Sequence, residues 1–149
     1  MKKLLGLLGL FCLLAVPAGA AEERGSAADA QALVARAIAA YDAEGAAAFA
    51  AMTSPSTAFR DRDLYLFVAD AENRVVAHGM DSKRVGADLA AQVDAAGTAF
   101  GRLMTEQASA EGVWVDYVWL DPITQRQVHK TSWVVRHDGY LFGCGIYKP

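Results

Sequence analysis

The sequence predicts an α+β domain in which one long helix leads into an antiparallel sheet of about five strands. Three observations predict it. Residues 29–52 are alanine-rich and free of proline, two short apolar runs flank Ala71-Glu72-Asn73, and the last third holds long strand-like runs separated by Asp-Pro and Asp-Gly turns. A leading helix followed by consecutive strands, without βαβ alternation, is the pattern of a sheet with its helices segregated to one face.

The chain begins with a targeting pattern. Met1-Lys2-Lys3 is positive, Leu4 to Val16 is apolar, and Pro17-Ala18-Gly19-Ala20 ends in the small-x-small pattern of a cleavage site. Residues 1–20 read as a signal peptide and Ala21 as the mature start, which implies a periplasmic or secreted protein. The apolar run is shorter than the roughly 20 residues needed to span a bilayer. Phe11 stands before Cys12, where a lipoprotein signal has a small residue, so no lipid anchor is expected. Cleavage leaves Cys144 as the only thiol and rules out an internal disulfide. Removal of Lys2 and Lys3 from the 14 basic residues leaves 12 against 17 acids, a formal charge of −5. That balance disfavours nucleic acid or an anionic membrane as partner. Residues 21–149 have the length of one domain.

Within the mature chain, Leu33 or Val34, Ala37, Ile38, Tyr41, Phe49 and Met52 fall near one stripe of a helix over residues 29–52, with Gly45 marking a kink. Thr53-Ser54-Pro55-Ser56 breaks it, and Arg60-Asp61-Arg62-Asp63 reads as a solvated charge run. Leu64 to Asp70 and Arg74 to His78 form a β-hairpin covered on both faces, because Leu64, Leu66 and Val68 alternate with Tyr65, Phe67 and Ala69. A glycine-punctuated loop follows. It leads into a helix over residues 98–111 whose Phe100, Leu103, Met104 and Ala108 face inward over the sheet. The final strands, about 112–121, 127–137 and a third after Gly139, make a meander through turns at Asp121-Pro122-Ile123-Thr124 and His137-Asp138-Gly139.

These last strands carry the chemistry. Trp114, Tyr117, Trp119, Lys130, Ser132 and Trp133 combine flat apolar walls with a few polar heads, as ligand pockets do. Tyr117 and Trp119 share a face and Trp114 takes the other; Tyr65 and Phe67 share a face of the hairpin. A partly desolvated Lys130 attracts a carboxylate, with Ser132 on the same strand face as a second donor. A lysine in a strand can equally snorkel to solvent, and tyrosines and tryptophans can be ordinary core. Enzyme chemistry finds no support: there is no Gly-x-Ser-x-Gly elbow, and no nucleophile has a visible base. His129 and His137 lie about 26 Å apart on an extended strand, too far for one metal ion. No Cys-x-x-Cys-His is present, and Asp70-Ala-Glu72-Asn73 lacks calcium-loop spacing. Neither a metal nor a cofactor is expected.

One succession of segments spans nearly the whole mature chain. It comprises Asp63-Leu-Tyr-Leu-Phe-Val-Ala-Asp70, Val76-Ala-His78, Val85-Gly86-Ala-Asp-Leu89, Asp94-Ala-Ala-Gly97-Thr-Ala-Phe100, Gly112-Val-Trp-Val-Asp-Tyr-Val-Trp119, Asp121-Pro122, Lys130-Thr-Ser-Trp-Val134 and Gly143-Cys-Gly-Ile-Tyr147. In order and spacing it resembles the single Cache domain family of bacterial extracellular sensors, from about Ala28 to Tyr147. The resemblance implies a PAS-like sheet behind a long N-terminal helix, and a cavity that binds a small molecule, often a short carboxylate. It favours a pocket role for Lys130, beside Tyr117, Trp119, Tyr65, Phe67, Ser132 and Trp133, which are pocket candidates from the residues themselves. It also sets His78 near the cavity mouth, where a histidine would make binding sensitive to pH near neutrality. Members of that family usually continue into a kinase, cyclase or chemoreceptor module, whereas this sequence runs only to Pro149. Signalling is therefore expected to pass through a membrane receptor or histidine kinase partner, with a homodimer formed on the leading helix. Two alternatives stay open: an aromatic cage for an amine or quaternary ammonium, and an interaction module with no small-molecule ligand.

Overall fold

A computed structural model describes residues 23–56 and 58–148; the segment read as a signal peptide, with Cys12, lies outside the described residues. Helix α1 spans Ala27–Glu44 and starts two residues earlier than expected, because Ser26 builds a reciprocal cap with Asp29. Ser26 Oγ accepts the Asp29 amide at 3.2 Å while the Asp29 carboxylate accepts the Ser26 amide at 2.9 Å. The helix stops at Gly45, whose φ of +61° suits glycine and whose amide reaches the Tyr41 carbonyl. A 3-10 turn, Gly45–Ala47, and a one-turn helix α2, Ala48–Ala51, complete the segment read from sequence as one kinked helix.

Six antiparallel strands follow: β1 (Arg60–Asp61), β2 (Leu64–Ala69), β3 (Val75–His78), β4 (Val113–Leu120), β5 (Gln127–His137) and β6 (Tyr140–Lys148). Their order is β1-β2-β6-β5-β4, with β3 on the edge of β2 away from β6. The meander is as the turn residues require: Asp138 and Gly139 both take positive φ, 46° and 80°, in a two-residue hairpin turn.

The sheet is covered on both faces. Leu64, Leu66 and Val68 of β2 meet Ala30, Leu33, Val34 and Ala37 of α1, and Phe142 and Cys144 of β6 join them. The small alanines let the helix lie close to the strands. Phe67 and Ala69 point to the opposite face, where α3 (Phe100–Gln107) adds Phe100 and Met104 over Val115, Tyr117, Val134 and Leu141. The expected layer of helix and loop is this second one, and α1 forms a layer of its own behind the sheet. Helix α3 is shorter than read from sequence. Asp94 Oδ1 holds the Thr98 amide at 2.7 Å in a turn at its start, and Ala108 is extended at its end.

One expectation is corrected outright. Asp63 does not belong to a solvated run: it is fully buried and accepts the Gly25 amide at 2.7 Å and Arg24 Nη1 at 3.1 Å. Arg24 also reaches Asp121, equally buried in the β4–β5 turn, at 2.6 Å through Nη2. The chain just ahead of α1 is thereby tied to two turns of the sheet. Arg24→Ala strands two buried carboxylates without their cation. Because Arg24 is itself about a fifth exposed, the expected loss of unfolding free energy is about 2–4 kcal/mol, reduced from the roughly 3–5 kcal/mol of breaking a fully buried ion pair, read from a urea denaturation midpoint.

Candidate ligand-binding site

Between the sheet and its α3 layer lies a cavity of about 50 Å³. Its walls come from β2 (Tyr65, Phe67), β3 (Val75, His78) and β4 (Tyr117, Trp119). Leu89, Phe100 and Met104 close it from the covering side, and Arg84, at the end of the 3-10 turn Ser82–Arg84, reaches in from the loop. On the measure by which one water needs about 10–15 Å³, the space holds about four water positions. An outer groove opens beside it, lined by Arg60, Met80, Asp81, Val93, Leu120, Pro122, Gln127 and Tyr147. Cavity and groove share four residues: Tyr65, His78, Arg84 and Trp119.

The apolar wall is a locked aromatic stack. Phe100 lies face to face with Tyr117 at 4.3 Å between centroids and meets the edge of Trp119 at 5.2 Å. Arg84 sits 4.8 Å from the Trp119 ring centroid, and among the described residues no carboxylate pairs with it. The guanidinium is thus anchored by an aromatic face with its N–H groups free of a counter-charge.

His78 is a neutral donor. Its Nδ1 accepts the amides of Asp81 at 3.0 Å and Met80 at 3.3 Å, so the proton of the uncharged ring is assigned to Nε2. Burial above all, and then the positive charges of Arg84 and Lys130, push its pKa down to about 4.

Beneath the cavity, Tyr117, Lys130 and Tyr147 form one row across β4, β5 and β6. Lys130 is 1% exposed; its Nζ donates to Tyr65 Oη at 2.7 Å and Tyr147 Oη at 3.1 Å and lies 4.0 and 4.4 Å from the two ring centroids. Tyr147 Oη donates to the Leu120 carbonyl at 3.1 Å, and Tyr65 and Tyr147 hydroxyls meet at 3.0 Å. Tyr117 Oη and Ser132 Oγ satisfy each other at 2.9 Å. Burial raises the Tyr117 and Tyr147 pKa values, so both phenols stay protonated.

The profile of the family described as Single Cache domain 2 matches residues 15–147. The chain belongs to that family. As a Cache domain it has structural counterparts among chemotaxis proteins. A methyl-accepting chemotaxis protein from Vibrio parahaemolyticus RIMD 2210633 superposes with a TM-score of 0.64 at 17% identity, over 80% of this chain and 86% of that one. A structure described as the periplasmic sensor domain of a chemotaxis protein gives 0.56 at 26% identity, over 80% and 88%. A third, described as a Cache chemosensory domain recognising carboxylic acid, gives 0.57 at 21% identity, over 80% and 86%. Comparison with curated proteins returned no match. No described helix is long and apolar enough to cross a membrane.

In this Cache domain, Tyr65, Phe67, His78, Tyr117 and Trp119 all line the cavity. The expected place of Trp133 is corrected. It pairs with Trp114 and Cys144 in a row on the α1 face, packed 5.4 Å from Trp114, because its position is one residue out of phase with Lys130 and Ser132. Lys130 and Ser132 lie on the cavity side but behind the tyrosines rather than in the wall. Arg84 is the residue the sequence reading missed. Its signal was its position: a basic residue immediately ahead of Val85-Gly86-Ala-Asp-Leu89, in a loop otherwise read only for its glycines. Among the described residues no three His, Cys, Asp or Glu side chains cluster as a metal site.

Because His78 titrates near 6.5 when unfolded and near 4 when folded, the unfolded state binds more protons between those values. The stability that the neutral ring contributes is complete above pH 6.5 and falls as the pH drops towards 4. Between pH 7 and pH 5 the loss is expected to be about 2 kcal/mol greater for the wild type than for His78→Gln, measured by urea denaturation at each pH.

Proposed function

We propose that this Cache domain is a periplasmic sensor of a small organic acid, a short carboxylate, whose bound state is relayed to a membrane receptor or histidine kinase. The observation that carries the reading is Arg84: a guanidinium anchored on Trp119 at the junction of cavity and groove, unpaired with any described carboxylate. Neutral His78 and the Tyr65 hydroxyl stand beside it as uncharged donors, and Lys130 adds a buried positive charge behind. Phe67, Val75, Leu89 and Met104 offer an apolar lodging for an alkyl tail.

Size limits the ligand. Four water positions correspond to a molecule of about four to six heavy atoms, and six atoms gain at most about −9 kcal/mol, so affinity is expected in the submicromolar range at the very best. The structural counterpart described as recognising carboxylic acid points the same way. The amine-cage alternative is disfavoured because the aromatic faces already hold the protein's own cations: Trp119 carries Arg84, and Tyr65 and Tyr147 carry Lys130. Export rests on the leader at residues 1–20, and a homodimer through α1 belongs to the same proposal. In this scheme the acid draws Arg84, His78 and Tyr65 together, closing the 79–89 loop over the cavity and favouring one of two positions of α1.

The mature chain from Ala21 is expected to gain thermal stability with acetate, propionate or lactate and to remain unmoved by trimethylammonium, because a ligand of the native state alone raises its stability by mass action. Arg84→Gln is expected to weaken the acid at least about tenfold in isothermal calorimetry, the loss of a charge-assisted contact. Binding unchanged in Arg84→Gln would remove the carboxylate role; silence across the whole panel would favour an interaction module.

A further inference from the structure

Lys130 is a cation that reaches neither space it was expected to serve. It lines neither the cavity nor the outer groove, is 1% exposed, and has no described carboxylate partner. Its stem lies where a side chain on Gly145 would otherwise stand: a Cβ there would fall 2.3 Å from Lys130 Cε and 2.4 Å from Ser132 Oγ. The sheet therefore gives up a side chain on β6 to let the ammonium reach two phenols.

With Lys130 as an ammonium, the proton count in that network is determinate. Nζ has only donors, so both Tyr65 Oη and Tyr147 Oη accept from it. Tyr147 directs its one proton to the Leu120 carbonyl and so can only accept from Tyr65. Tyr65 is left with one proton pointing away from Lys130. Tyr65 lines both cavity and groove, with its ring 5.2 Å from that of His78, whereas Tyr147 lines the groove alone.

We propose that Lys130 is a positioning residue: it holds the Tyr65 hydroxyl as an acceptor towards itself, so that the phenolic proton is presented to the carboxylate of a bound acid. The inference rests on the carboxylate reading above. An acid in the cavity takes the Tyr65 proton from Tyr147 Oη, and Tyr147 keeps both Lys130 and the Leu120 carbonyl, so the exchange leaves no buried polar group without a partner. The ammonium, polarising the phenol it binds, makes Tyr65 a stronger donor than a free tyrosine and never needs to meet the ligand.

A double-mutant cycle on the full mature chain tests it, with propionate as probe in calorimetry and tyrosine difference absorbance as a second readout. Lys130→Met and Tyr65→Phe are each expected to weaken propionate about tenfold, and the double variant to lie within about threefold of Tyr65→Phe alone, because the two act as one unit. The tyrosine absorbance change on adding propionate is expected to vanish in Tyr65→Phe and to shrink in Lys130→Met, which a merely structural lysine would not cause. Tyr147→Phe is expected to keep most of the affinity, and this comparison with Tyr65→Phe decides the matter if Lys130→Met does not fold. Independent, multiplying losses in the double variant would overturn the inference and make Lys130 a direct contact. A Tyr147→Phe loss equal to that of Tyr65→Phe would overturn it as well. A wild type that binds no acid at all would instead overturn the carboxylate reading, and this inference with it.

Discussion

A sheet buried on both faces cannot leave polar groups to water, and the cavity side of this domain is organised around that constraint. The central strands carry a lysine, two tyrosine hydroxyls and a serine on the same face as Phe67 and Leu141. A buried charge with no partner is among the most expensive features a core can hold. Here the ammonium is supported by two phenols and two ring faces, and among the described residues no buried side-chain nitrogen or oxygen lacks a partner. The glycines of the Gly143-Cys144-Gly145 segment follow from the same constraint. One leaves room for Phe67 and the other for Lys130 and Ser132, while Cys144 between them faces α1 as a small apolar residue.

At His78 two cations outweigh the one opposing carboxylate, Asp81. Arg84 and Lys130 are both directed at the region around His78, and together with burial they keep that imidazole uncharged. Two acids line the groove: Asp81 Oδ1 accepts the Lys83 amide, and the two oxygens of Asp94 accept the amides of Ala96, Thr98 and Val118. The Asp94 carboxylate therefore stabilises the turn into α3 and the edge of β4 rather than offering a charge for an amine.

Most of the fold was legible because it rests on local rules. The hairpin, the meander and the position of α3 follow from alternation and from turn residues whose positive φ values the structure bears out at Asn73, Asp138 and Gly139. The site was legible only in part. Period-two alternation alone separates Trp133 from Lys130, and grouping them by composition overrode a rule that the sequence did contain. Asp63 is different in kind: nothing local marks it as buried, because its burial depends on Arg24, 39 residues away in sequence. Arg84 was hidden for a related reason. A loop has no period, so only the three-dimensional approach of Trp119 gives that one arginine a place.

The Arg24 clamp also has a mechanical meaning. Asp121, which it grips, is the neighbour of Leu120, whose carbonyl anchors Tyr147 in the wall of the outer groove. The thread of chain entering α1 and the Tyr147 hydroxyl therefore hang from two adjacent residues, one closing β4 and one opening the turn after it. Through Arg24 and Gly25 the same thread also holds Asp63 ahead of β2, so a displacement of the helix root loads both turns together.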